Sequence, residues 1–73
     1  MTTEELRKQL SQTADYFYQE RNEEGMKAFM SLAGLIGQQP KWQKQINPLF
    51  DALEKADYIL AADILQHDMA EKL

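Results

Sequence analysis

Apolar residues recur along this chain at intervals of three and four positions, the spacing that places side chains on one side of an α-helix. The first such stripe comprises Leu6, Leu10, Ala14 and Phe17. Thr2 and Glu5 match a capping box, in which a hydroxyl and a carboxylate satisfy free N–H groups at a helix start. We therefore predict a first helix from about Thr3 to Arg21.

Asn22 indicates a turn and the N-cap of a second helix, followed by two glutamates that suit the positive end of the helix dipole. This helix is expected to reach Ile36, with Gly37 as its stop and a loop up to Pro40. Its predicted main stripe is Met26, Phe29, Met30, Ala33 and Ile36. One long helix running through Asn22 is the alternative.

A third helix is predicted to begin near Pro40 or Lys41, because apolar residues keep helical spacing from there onward. They are Trp42, Ile46, Leu49 and Leu53. Since Pro48 removes one backbone hydrogen bond, we expect either a kink or a break with Asn47 as a new cap. Trp42 is interpreted first as a core anchor and second as a partner-binding residue.

Asp57 is the predicted N-cap of the last helix. The stripe that follows comprises Tyr58, Ala62, Leu65, Met69 and Leu73. No alternating apolar–polar run predicts a strand. The sequence therefore predicts an all-α fold, a small up-and-down helical bundle of four helices, or three if the first two are fused, in one domain spanning residues 1–73.

The amino-acid composition indicates in which cellular compartment the protein is found. The 73 residues include no cysteine, which excludes disulfides and thiolate metal sites and suits a reducing cytoplasm. The acidic start of the chain does not match a signal peptide, and no apolar run approaches the roughly 20 residues of a membrane span. We expect a cytoplasmic protein with no membrane partner.

Charge is unevenly distributed along the chain. The net charge of −4 argues against a nucleic-acid partner. Between Met26 and Phe50 the charged residues are Lys27, Lys41 and Lys44, whereas residues 51–73 carry six acids and two lysines. This polarity could orient two copies head to tail or attract a charged partner, although solvated helix faces are the simpler interpretation.

Two helices carry apolar residues outside their main stripes, which predicts an interface. Leu60 and Ile64 lie one turn apart on the side opposite Leu65, and Leu32 and Leu35 fall outside the second helix's stripe. Tyr16 and Tyr18 flank Phe17 as boundary residues, for which packing at the edge of the core is the favoured interpretation and an interface contact the alternative. The predicted interface is Leu32, Leu35, Leu60, Ile64, Tyr16 and Tyr18. Alternatively, the second helix is simply central in the monomer.

Catalytic and metal chemistry receive little support. Asp63, His67 and Glu71 are spaced to share one helix face, but a solvated polar face is the favoured interpretation. With one histidine, no cysteine and both serines inside predicted helices, no nucleophilic constellation is suggested. We expect a non-enzyme without catalytic residues, cofactor or bound metal.

The segment from Leu53 to Leu65, with Asp68 after it, carries an acid-x-x-Asp-Tyr pattern, then an apolar run and Ala-Asp-x-Leu. It resembles the C-terminal part of a family of small all-helical proteins of Gram-positive bacteria, and residues 18–25 resemble the first inter-helix turn of those proteins. The resemblance implies four helices and a bacterial cytosolic origin, and it brings no site residues. In size and helical character the chain is also similar to flagellar export chaperones.

These features together predict a small protein–protein interaction or adaptor module that self-associates as a homodimer or binds a helical protein partner. The first alternative is an export or secretion chaperone that holds an amphipathic client helix in an apolar groove. The second is a metal-binding helical bundle using Asp63, His67 and Glu71.

Overall fold

The computed structural model describes residues 2–73 and places four α-helices among them, with no strand. These are α1 (Thr3–Tyr18), α2 (Asn22–Gly37), α3 (Gln43–Glu54) and α4 (Tyr58–Asp63). A short 3₁₀ turn, Pro40–Trp42, precedes α3, and α4 continues as a π-helical segment, Ile64–Met69, and a 3₁₀ turn, Ala70–Lys72. The predicted all-α bundle is confirmed. None of these helices combines the length and apolar character needed to cross a membrane.

The start of α1 follows the predicted capping arrangement. The Glu5 backbone N–H donates to the Thr2 hydroxyl oxygen at 3.2 Å, and that hydroxyl donates to the Glu5 carboxylate at 3.0 Å. The Thr2 cap is confirmed, although the Glu5 carboxylate accepts from the Thr2 side chain, where a capping box uses the backbone N–H.

The first two helices are separate, because the backbone reverses at Glu20. This residue has a left-handed φ of 62°. The Arg21 N–H donates to the Tyr16 carbonyl at 2.8 Å, and the Glu20 N–H donates to the Phe17 carbonyl at 3.1 Å. These two bonds form a Schellman motif, which closes a helix end. The first helix therefore ends three residues before the predicted Arg21.

The start of α2 differs by one residue from the prediction. Asn22 is the first helical residue, Arg21 is the N-cap, and no side chain caps this end. The prediction that Asn22 is the N-cap is therefore wrong. The helix ends at Gly37, which has no left-handed φ.

The buried side of α2 is rotated relative to the predicted stripe. Gly25, Phe29, Leu32 and Ile36 are the buried residues, whereas Met30 is 70% exposed. A Cβ atom placed on Gly25 would lie 2.6 Å from the Phe17 ring, so the small residue is what allows this close approach to α1. Leu32 is 1% exposed in the core, and its predicted place on a second, exposed face is wrong.

Pro48 lies inside α3, which is continuous from Gln43 to Glu54. The alternative of a break with Asn47 as a new cap is excluded. Trp42 and Leu49 are buried and Ile46 is partly buried, so the stripe predicted for this helix is confirmed. Trp42 contributes to the core from the 3₁₀ turn that precedes the helix.

The last helix begins as predicted and then changes its geometry. The Leu60 N–H donates to the Asp57 carboxylate at 3.3 Å, which confirms the Asp57 cap. Ile64, the first residue of the π-helical segment, is 6% exposed, and that segment packs against both α1 and α3. The prediction that Leu60 and Ile64 share an exposed face is therefore wrong, because Ile64 is buried.

Helix α1 is central in the bundle. It packs against α2, against α4 and against the segments that continue α4, while α3 packs mainly on α4 and the π-helical segment. The rings of Phe17 and Tyr58 stack with centroids 5.4 Å apart, which joins α1 to α4.

Candidate functional site

Several large hydrophobic side chains remain partly exposed after the bundle has formed. Their exposed fractions are Tyr18 38%, Met30 70%, Leu35 36%, Phe50 43%, Ile59 52% and Leu60 45%. Tyr18, Ile59 and Leu60 lie near carboxylates, whereas Met30 and Phe50 lie in the stretch from Met26 to Phe50, whose charged residues are all lysines. We call these groups the acidic face and the lysine face.

The acidic face lies where α1 meets α4. It comprises Asp15, Tyr18, Ile59, Leu60, Asp63 and Glu71. The Tyr18 hydroxyl donates a hydrogen bond to the Asp63 carboxylate, which joins the end of α1 to the end of α4. Ile59 and Leu60 precede Asp63 by one helical turn and expose about half of their side-chain area. The face therefore combines exposed apolar surface with several negative charges.

The ionisation of Tyr18 reports the electrostatics of the acidic face. Partial burial, the hydrogen bond to Asp63 and the negative charges of Asp63, Asp15 and Glu71 raise the pKa of Tyr18 to about 12. Each carboxylate disfavours a second negative charge on the phenol oxygen. The three carboxylates thus act on one point of the surface, and Tyr18 stays a neutral hydrogen-bond donor at physiological pH.

The three candidate metal ligands of the second alternative bind each other or a neighbouring tyrosine. The His67 Nδ1 atom lies 2.7 Å from the Glu71 carboxylate, whereas Asp63 accepts from Tyr18. The π-helical segment separates Asp63 from Glu71 and disturbs the even spacing expected of a regular α-helix. Within residues 2–73, no three acidic or histidine side chains are grouped in a way that could hold a metal ion.

The lysine face is formed by the outer side of α2, the 3₁₀ turn and α3. It comprises Lys27, Met30, Lys41, Lys44 and Phe50. Met30 follows Lys27 by one helical turn on α2. The Phe50 ring packs edge-on against the Phe29 ring, with the centroids 5.7 Å apart. Phe29 directly precedes Met30 in α2, so this contact places α3 beside that part of α2. The Lys41 ammonium group lies 5.5 Å from the centroid of the Trp42 ring.

The charged groups of the two faces are largely unpaired within the chain. Among residues 2–73, the ion pairs are Glu4–Arg7, Arg21–Glu24, Asp51–Lys55 and His67–Glu71. None of the three lysines of the lysine face takes part. Asp15 and Asp63 also form no ion pair in this part of the chain. These charges are available to a partner.

The six residues predicted to form an interface do not lie on one surface: some are exposed, one is half-buried and two are in the core. Tyr18 and Leu60 belong to the acidic face, and Leu35 is exposed on a side of α2 away from Met30. Tyr16 is half-buried, and the Arg21 guanidinium lies over its ring, 5.2 Å from the ring centroid. Leu32 and Ile64 are buried.

Sequence reasoning missed three exposed apolar residues, Met30, Phe50 and Ile59. Met30 was assigned to the main stripe of α2, because helical spacing alone cannot show which flank of a broad apolar stripe faces the core. Phe50 and Ile59 belong to no predicted stripe and to no predicted interface. The block of lysines between Met26 and Phe50 was the available signal for the face that contains Met30 and Phe50.

Comparison of the chain with protein-family models, curated proteins and solved structures finds no match. Functional conclusions therefore depend on the two faces themselves.

Proposed function

We propose that this chain is a cytoplasmic, non-catalytic protein-binding module that self-associates. The observation that supports this most directly is the exposure of large apolar side chains in two groups, of which Met30 and Ile59 are the most exposed members. Contiguous apolar surface on a small protein commonly marks a contact with another protein. A second copy of the chain is the simplest partner for such surface.

The core does not account for this exposure. Large buried side chains, including Phe17, Leu10 and Leu65, already form a contiguous core around α1. The sequence nevertheless places Met, Phe, Ile and Leu at positions where the fold leaves them partly in water. Burying these side chains against another surface would be favourable at roughly 25 cal/mol per Å² of apolar area.

The composition of both faces also suits protein recognition. Tyrosine, methionine and phenylalanine are enriched in interface cores, where the flexible methionine side chain adapts to its partner. The surrounding carboxylates and lysines would form the polar rim. Within residues 2–73 the three lysines, Asp15 and Asp63 form no ion pair, so an interface could satisfy these charges without breaking one.

Light scattering coupled to size exclusion tests this proposal over a wide range of protein concentration. We expect the mass to rise above the 8.5 kDa of one chain as the concentration increases. A double variant with Met30→Ser and Ile59→Ser should associate much more weakly, because it removes apolar area from both faces. Gln9→Ser, at an exposed position of α1 outside both faces, is the control.

The same measurement can refute self-association. If the unaltered chain stays at 8.5 kDa at every concentration, the proposal is wrong. The two faces would then be available to a different protein, such as a helical client.

A further inference from the structure

We infer that the acidic face binds a basic amphipathic helix of another protein, whose apolar side chains pack on Ile59 and Leu60 while its lysines or arginines pair with the neighbouring carboxylates. The inference deepens the proposed protein-binding function at this one face, and it does not require self-association. Its basis is that half-exposed aliphatic side chains adjoin carboxylates that have no ion-pair partner within residues 2–73.

The apolar part of the acidic face surrounds Asp63. Ile59 and Leu60 lie in the first turn of α4, are 52% and 45% exposed, and precede Asp63 by one helical turn. Tyr18 is 38% exposed, and its hydroxyl bond to Asp63 holds its ring beside the same helix. Large side chains from two helices thus lie uncovered around one carboxylate. Asp63 also directly precedes the π-helical segment, a kind of distortion that is frequent at functional sites.

The carboxylates around these side chains favour a positively charged partner. The Asp57 carboxylate accepts from the Leu60 N–H at 3.3 Å, which places it beside the exposed leucine. Asp15 precedes Tyr18 by one turn of α1, and the charges of Asp15 and Asp63 contribute to the raised pKa of Tyr18. A partner that brought cations to this surface would be attracted, whereas an acidic partner would be repelled.

Cations of the chain do not neutralise these carboxylates. Lys55 pairs with Asp51 on α3 at 3.1 Å. Lys8 lies two turns of α1, about 10 Å along the helix axis, before Asp15. No lysine or arginine within residues 2–73 lies within ion-pair distance of Asp15 or Asp63. A basic partner therefore gains these contacts without displacing a cation of this chain.

A helix is the form of partner that suits this surface. The part of the chain that the structure describes contains no strand, so it offers no sheet edge to which an extended peptide could add. An amphipathic helix instead presents apolar residues three and four positions apart, with its charges on the flanks. Carboxylates repel nucleic acids and anionic lipid surfaces. A basic protein helix is the partner that satisfies both the apolar and the charged part of the face.

A synthetic peptide tests the inference. The probe is a fluorescently labelled peptide of leucine and lysine arranged to form an amphipathic helix, and its binding is followed by fluorescence anisotropy. We expect a Kd at or below about 100 μM. Two control peptides each lack one property, because serine replaces every leucine in one and glutamate replaces every lysine in the other. Both controls should bind at least about tenfold more weakly.

A pair of charge variants locates the binding site. Asp15→Asn combined with Asp63→Asn removes two charges from the acidic face and should weaken binding about fivefold at low salt, since each exposed ion pair contributes modestly. Glu4→Gln combined with Glu23→Gln removes the same charge from exposed positions outside the face. This control should change the affinity by less than about twofold, because distant exposed charges are screened.

A pair of apolar variants tests the other component. Ile59→Ser should weaken binding about fivefold, because it removes apolar area that the peptide covers. Met30→Ser alters an even more exposed apolar residue on α2 and should leave the affinity unchanged. Far-UV circular dichroism checks that every variant keeps the helical content of the unaltered chain.

Three results would overturn the inference. They are a leucine–lysine peptide that does not bind at about 1 mM, a serine–lysine peptide that binds equally well, and equal affinities of the two charge variants. If the peptide fails to bind and the Asp15 and Asp63 variant also loses self-association, a second copy occupies the acidic face instead. Self-association is measured by light scattering without peptide, so its absence overturns the proposed self-association alone.

Discussion

Gly25 shows how a single residue positions one helix on another. Phe17 is fully buried, and its ring occupies the space that a side chain on Gly25 would need. Gly34, in the same helix, has no atom within 4 Å of the corresponding position. The two glycines therefore have opposite roles although the sequence presents them alike. The raised pKa of Tyr18 is a second property set at this scale, first by partial burial and then by the hydrogen bond to Asp63 and the charges of nearby carboxylates.

Gly25→Ala should destabilise the fold. The new methyl group would collide with the Phe17 ring, and such overpacking costs about 1–3 kcal/mol, against about 1 kcal/mol gained from better helix propensity. Gly34→Ala should stabilise the fold by about 1 kcal/mol, since only the propensity changes. Urea unfolding followed by circular dichroism measures both. Equal effects of the two substitutions would show that α2 does not pack closely on Phe17.

The pKa of Tyr18 predicts a pH dependence at the alkaline end. Because folding raises the pKa of Tyr18 from 10.0 to about 12, the folded state favours the neutral phenol. The stabilising contribution is complete below pH 10 and is lost as the pH rises from 10 to 12. Absorbance titration should show one tyrosine ionising late in the folded chain. Tyr18→Phe should remove that late transition, and a late transition that persisted would assign it to another tyrosine.

At the scale of the element, the turns after α1 and after α3 use the same backbone motif without glycine. Glu20 and Ala56 both adopt a left-handed φ, at 62° and 58°. After α3, the Asp57 N–H donates to the Ala52 carbonyl at 2.8 Å and the Ala56 N–H donates to the Leu53 carbonyl at 3.1 Å, repeating the Schellman pattern that ends α1. A residue with a side chain is strained in this conformation, so each of these turns lowers the free energy of unfolding.

Ala56→Gly should therefore stabilise the chain. Glycine adopts positive φ without a clash between Cβ and the carbonyl oxygen, and the expected gain is about 1 kcal/mol. Chemical denaturation provides the measurement. Glu54→Gly, two residues earlier at the end of α3, is the matched control and should destabilise by up to about 1 kcal/mol, because that residue is helical. Destabilisation by both substitutions would contradict the left-handed conformation of Ala56.

At the scale of the whole molecule, the way the other helices pack around α1 determines which apolar residues are buried and which remain exposed. Ile64 is buried in the π-helical segment, which packs on both α1 and α3, while Leu60, four residues earlier, remains 45% exposed. A domain of this length has a total stability of about 4–11 kcal/mol. The loss of one core side chain is therefore a large fraction of the total.

Ile64→Ala should destabilise the monomer by about 2–5 kcal/mol, since it leaves a cavity in the core. Leu60→Ala should change monomer stability by less than about 1 kcal/mol, because a half-exposed side chain loses little buried area. Thermal unfolding at a protein concentration low enough to keep the chain monomeric compares the two variants. Similar losses of stability would mean that the two residues do share one environment, as their spacing suggested.

Much of the fold could be predicted from the sequence, because helix formation depends on local signals. The stripe from Leu6 to Phe17, the caps at Thr2 and Asp57 and the all-α class follow from side chains acting within a few residues of each other. The sequence also contained the separation of lysines and acids that distinguishes the two faces. It did not reveal the π-helical segment, since propensity and spacing predict a regular α-helix there.

The tertiary structure decided which side of each helix is buried. The apolar residues of α2 cover a broad arc, and the contact between Gly25 and Phe17 selects the part of that arc that contains Leu32 and leaves Met30 in water. Likewise, Ile64 is buried whereas Leu60 and Ile59 remain about half exposed. These choices arise from contacts between residues far apart in sequence, which local periodicity does not encode, and they determine the composition of both faces.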